Sequence, residues 1–179
     1  MTAAAAVAGA LLAWLGASLL VLSDERRGLA LGIAVAAVGL GVATAAAGKD
    51  LLADAALVVG GACSAGLQFG RGGMSWGLMP PGSTPRLIGS LVALILTSLI
   101  AGTGLQDAAG VARLGALIVA VMAAGRLLTV RGRWAALGAG SALALGLGAL
   151  GSTPTLWLAG VVAATLSLVD LAGPEEVAG

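Results

Sequence analysis

Along most of this chain polar positions are rare and come in short clusters, so the pattern reads as long apolar runs separated by brief turns. The runs are about 17 to 22 residues long, the length a helix needs to cross a hydrocarbon core of roughly 30 Å. They predict an all-α, polytopic membrane bundle of about seven spans: Ala3 to Leu22, Gly28 to Ala47, Leu51 to Phe69, Leu87 to Leu105, Ala109 to Val130, Trp134 to Gly151 and Thr155 to Ala172. Residues 1–69 would hold spans one to three, and 87–173 spans four to seven, with 174–179 a short tail. Between the two groups lies Gly70 to Arg86, GRGGMSWGLMPPGSTPR, with two arginines and three of the five prolines. Pro80-Pro81 disfavours helix at the residues before it, so span three does not run straight into span four. Met74, Trp76, Leu78 and Met79 are too apolar for a freely solvated loop. This hinge is therefore expected to lie flat at a membrane interface or to dock on a partner, through Arg71, Trp76, Met79 and Arg86.

Charge orients the spans. No Lys or Arg precedes the first span, so it lacks the basic region of a cleaved signal peptide. With the N-terminus outside, the inner loops hold Arg26, Arg27, Arg71, Arg86, Arg126, Arg131 and Arg133, and the outer loops only Lys49 and Arg113. Seven against two is a positive-inside bias over short loops, and it places the C-terminus inside. The expected location is a bacterial or archaeal plasma membrane. Trp76 and Trp134 fall at the predicted inner boundary and Trp157 at the outer one, as in an aromatic belt. Trp14 is mid-span and should pack on a neighbour.

Composition narrows the chemistry. Charged residues make up 9% of the chain, against roughly 25% in a soluble domain. Net charge is +1, with no tyrosine and one phenylalanine, which argues against a nucleic-acid partner. There is no histidine, hence no Ser–His or Cys–His pair and no His-based metal or haem site. The single Cys63 permits no internal disulfide and reads as a small buried residue. No cofactor-binding pattern is present, and no enzyme activity is expected.

Thirty glycines supply small-xxx-small pairs, Gly28 with Gly32, Gly61 with Ala65, Gly66 with Gly70 and Ala144 with Gly148. Such faces let helix backbones approach closely in lipid, with bulky Leu, Val and Ile turned outward. A shift of 106 residues superposes Gly9-Ala10-Leu11 on Gly115-Ala116-Leu117, Arg27 on Arg133, and Leu31-Gly32 on Leu137-Gly138. Spans one to three would then correspond to five to seven, with span four as connector. In layout this resembles the SWEET sugar transporters. The likeness stops there, since those proteins carry prolines within the repeated helices and no span interior here does; no site is implied.

Charges within a span cost roughly 2.5 to 3.5 kcal/mol at a helix centre, so each asks for an explanation. Asp54 lies one turn into span three, four residues after Asp50. It reads as an ion or proton site near the outer surface, or as an interfacial carboxylate beside Lys49 that reaches water. Arg126 and Asp170 share one depth near the inner ends of spans five and seven. They would form an interhelical pair, unless Arg126 snorkels to the headgroups. The hydroxyls of Thr97, Ser98, Thr103, Ser141, Thr165 and Ser167 should bond a carbonyl one turn back or a neighbouring helix, and Gln68 ends span three. The expected partners are the lipid bilayer and other membrane subunits. The leading expectation is a non-catalytic membrane subunit that packs against and positions others. The alternative is a small-solute or ion transporter built from two parallel three-helix repeats.

Overall fold

The protein is described by a computed structural model covering residues 3–71, 84–101, 107–130 and 132–172, with the backbone alone at 85, 100, 101 and 170–172. Trp76 and Met79 lie outside the described residues. Seven α-helices follow one another: α1 (Ala3–Leu22), α2 (Arg26–Ala46), α3 (Leu51–Gly70), α4 (Thr84–Ala101), α5 (Ala108–Thr129), α6 (Arg133–Leu150) and α7 (Thr153–Ala172). There is no strand among the described residues. By length and composition α1, α2, α3, α5 and α6 can each cross a membrane, while α4 and α7 are apolar over the shorter stretches Arg86–Leu99 and Thr153–Val169.

The helix ends follow local chemistry. Asp50 caps α3 by accepting from the Leu52 N–H at 3.1 Å, and Asp107 caps α5 by accepting from Gly110 at 2.7 Å. A carboxylate at the N-cap satisfies an amide that has no helical acceptor, and it suits the helix dipole. The α2–α3 turn passes through Gly48 at φ 78°, a left-handed conformation that glycine adopts without a Cβ clash. Pro154 lies in the first turn of α7, where its missing N–H costs nothing.

The helices stack as two facing triplets. α1 packs on α2 and α2 on α3; α5 packs on α6 and α6 on α7. Across the layers α1 meets α5, α2 meets α6 and α3 meets α7, while α4 rests chiefly on α5 and α1. Shifted by 106 residues, α1 would cover 109–128 and α2 132–152, close to α5 and α6; α3 would cover 157–176, four residues beyond α7. The layout thus follows the internal shift for two helices of three.

Small residues supply much of the interior, beside buried Leu20, Leu29, Leu40 and Leu145, while many bulky residues face out. Ala13, Ala36, Ala43, Ala139 and Ala163 are fully buried, whereas Leu11, Leu15, Val38, Ile95, Leu96, Leu158 and Val161 are exposed. In lipid, burying leucine between helices gains little over leaving it in acyl chains, whereas close backbone approach gains dispersion contacts.

The tightest seam joins α1 to α2. A Cβ added at Gly16 would land on the Ala36 backbone nitrogen, and one at Gly39 on that of Ala13; at Gly9 it would stand 2.6 Å from the Ala43 nitrogen, and at Gly32 2.7 Å from that of Leu20. Gly9 and Gly16, like Gly32 and Gly39, are seven residues apart. A seven-residue spacing keeps one stripe facing a nearly antiparallel partner along several turns, so this seam uses heptads rather than the four-residue spacing the sequence suggests. Gly60 and Gly160 make a second backbone contact between α3 and α7. Gly66 and Gly70 meet nothing within 4 Å, so this small-xxx-small pair is not used inside the bundle. The expectation for Cys63 fails as well: its position on α3 faces outward and it is exposed.

Candidate functional site

Polar groups gather at the two ends of the bundle, and interhelical contacts fix which groups share an end. One end carries Lys49, Asp50, Asp54, Asp107 and Arg113. Lys49 follows α2, and its Nζ donates to the carbonyls of Ala149 (2.8 Å) and Gly151 (2.7 Å). It thereby caps the C-terminus of α6, where carbonyls lack helical donors and the dipole favours a cation. Burial holds the Lys49 ammonium below the ordinary lysine value of 10.5; the Asp54 carboxylate opposes that shift and the Arg113 cation adds to it.

Asp54 is 4% exposed, and neither carboxyl oxygen has a hydrogen-bond partner. α3 turns this residue toward α2, where Thr44 lies beside the carboxyl. The Thr44 hydroxyl donates to the Leu40 carbonyl at 2.7 Å instead. The interfacial reading of Asp54, in which the carboxylate reaches water, is therefore corrected. Its depth along the helix was legible in the sequence, but its direction around the helix depended on where α2 packs.

The other end carries the arginines. Arg126, near the end of α5, is 5% exposed and its Nη2 donates to the Ser23 carbonyl at 2.6 Å and to Asp24 Oδ1 at 3.3 Å. Arg86, at the start of α4, donates to the same Asp24 oxygen at 2.6 Å. Asp24 lies in the α1–α2 turn, so one carboxylate ties α1, α4 and α5 together. The sequence reading gave Arg126 either Asp170 as a partner or the headgroups, and passed over Asp24. The signal was present in SDERR, an acid inside a basic turn on the same predicted side as Arg126. The side chain of Asp170 lies outside the described residues, and its backbone lies in the last turns of α7. Arg71 closes α3 as its C-cap residue. Arg26 stands over the Trp134 ring at 5.4 Å and Arg27 over Phe69 at 5.2 Å, contacts in which the ring face attracts the cation. Arg133 donates to the Val169 carbonyl at 3.2 Å. Six of the seven basic residues the sequence assigns to one side, Arg26, Arg27, Arg71, Arg86, Arg126 and Arg133, thus converge on one end; Arg131 lies outside the described residues.

Between the ends the polar contacts are few. The Ser64 and Ser167 hydroxyls join α3 to α7 at 2.6 Å, and Ser141 donates to the Ala163 carbonyl at 3.2 Å, joining α6 to α7. On α4, Ser90 and Thr97 are buried but donate to their own helix, to Leu87 and Ala93. Gln68 is buried one turn beyond Ser64, with both ends of its amide unpartnered, as are the Trp14 Nε1 and the Ser18 hydroxyl on α1. Trp14 itself packs, half-buried, against the core.

Fold and site together define an all-helical bundle, five of whose helices are long and apolar enough to cross a membrane, with the charged side chains named above gathered at its ends. Comparison with protein-family models, with curated proteins and with solved structures finds no match.

Proposed function

We propose that this chain is a non-catalytic integral membrane subunit, crossing seven times with its N-terminus outside, whose task is to pack against and position other subunits. The observation that supports this most directly is a groove of about 330 Å³ on the outside of α2 and α3, lined by Ala30, Ala34, Ala65, Gly66 and Gly70 and flanked by Leu31 and Phe69. Along the α1–α2 seam and between α3 and α7, small-residue faces meet backbone to backbone. Here Gly66 and Gly70 meet nothing within 4 Å, and an apolar helix of another subunit is the occupant the groove suits. The groove ends beside Arg71. Native purification of the tagged protein in mild detergent tests this. A companion should be retained by wild type and lost from Gly66→Leu/Ala34→Leu, with the melting temperature unchanged. Wild type purifying alone, or a variant that keeps its companion, would sink the proposal.

One observation favours the transporter alternative, the sequestered Asp54 carboxyl with Lys49 nearby. An unpaired carboxyl at membrane depth is costly, and in transporters such groups bind protons or cations. Purified protein in liposomes carrying a pH gradient would show a proton flux that Asp54→Asn abolishes. Equal flux from variant and wild type, or none from either, removes this reading.

A further inference from the structure

We propose that the cleft between α4 and α5 is a binding site for one anionic lipid, with its acidic headgroup on Arg86 and Arg126 and an acyl chain along the helices. The cleft has a volume of about 320 Å³, at the lower end of the roughly 300–1,000 Å³ of ligand sites. Its walls are apolar, from Val21 on α1, Ala93 on α4, and Val121 and Met122 on α5; Arg86 and Arg126 lie on the end shared with Asp24.

Three features point to an anion with a hydrocarbon tail. Two guanidiniums face one carboxylate, that of Asp24, so the group carries a surplus positive charge. The Nε of Arg126 is buried and has no partner, although a buried cationic donor is costly to leave unpaired. The hydroxyls lining the cleft are already engaged, Ser90 with the Leu87 carbonyl and Thr129 with that of Arg126, so the donors left for a ligand are cationic. Shape agrees with charge. Gly89 and Gly125 line the cleft and an added Cβ would meet nothing at either, leaving the slot open along its length. An acyl chain satisfies these apolar walls, and a phosphate or carboxylate satisfies the guanidiniums by charge-assisted hydrogen bonds. The site rests on the membrane-spanning reading of the fold and not on any partner subunit.

Native mass spectrometry of the detergent-purified protein tests the site, with dioleoyl phosphatidylglycerol and dioleoyl phosphatidylcholine added in turn. Wild type should retain one phosphatidylglycerol and release phosphatidylcholine. Arg86→Gln should weaken retention about tenfold, as the loss of one charge-assisted hydrogen bond implies, and Arg86→Lys should restore part of it. Gly125→Leu, which fills the slot where the backbone has room, should abolish retention while the melting temperature without lipid stays unchanged. Inorganic phosphate added in excess should leave the lipid bound, since it lacks the chain; displacement by phosphate alone would show a headgroup-only site and overturn the proposal. Equal retention of both lipids, or a Gly125→Leu protein that binds as wild type does, would overturn it too.

Discussion

Gly39→Leu is expected to abolish recovery of folded, monodisperse protein, and Gly39→Ala to lower the melting temperature by about 5–10 °C. The reason is the identity of the atoms in contact. A Cβ at Gly39 meets the backbone of Ala13 and the carbonyl of Gly9, and backbone cannot rotate away as a side chain can. The helices must separate, and Gly9, Gly16 and Gly32 lose their contacts along with Gly39. Overpacking commonly costs about 1–3 kcal/mol, occasionally more, and for a chain of this size each kcal/mol shifts the midpoint by roughly 2–4 °C. The loss of a whole seam puts alanine at the upper end and leucine beyond it. Size-exclusion profiles and thermal unfolding in detergent would check both variants, with Gly66→Leu as the control that should melt like wild type. Unaltered melting of Gly39→Ala would mean that α1 and α2 are not in backbone contact.

Arg126→Leu should come next in severity, lowering stability by about 2–3 kcal/mol. Arg126 is buried, and it supplies a donor to the Ser23 carbonyl just beyond the C-terminus of α1. Leucine fills similar volume but leaves that carbonyl without its charged donor, and losing a bond to a charged group costs about 1.5–3 kcal/mol. The Asp24 share is smaller, because Asp24 is 40% exposed and keeps Arg86; half-exposed pairs contribute about 0–1 kcal/mol. Asp24→Asn should therefore cost far less than Arg126→Leu when the two are unfolded side by side. Equal losses would place the stabilisation in the ion pair and refute the carbonyl-capping account.

Much of the fold was legible because apolar runs of about spanning length are broken only by short polar turns. The seven helices fall within a few residues of the apolar runs, and Asp50, Asp107 and Pro154 sit where helix-end chemistry places them. What the sequence could not supply was direction around each helix. In so uniform an Ala, Leu and Gly alphabet the moment of any helix is weak, so Gly66 and Gly70 looked as suited to internal packing as Gly9 and Gly16. Cys63 looked buried for the same reason. Asp54 was rightly set beside Lys49, but its burial was missed, since that depends on how α2 and its Thr44 pack against α3. Asp24 was missed because a charged residue in a turn looks solvated until two arginines from distant helices are brought to it.

The backbone seam between α1 and α2 also sets an order of events during synthesis. These two helices are neighbours in the chain, so their pairing closes only a short loop and is available as soon as Ala46 has left the ribosome. The α3–α7 contact is of the opposite kind. Gly60 and Ser64 have no Gly160 or Ser167 to meet until α7 has been made, and during that interval their face of α3 is without its helix partner. The bundle therefore begins as a local hairpin and is sealed last by α7, the last of its helices to be made.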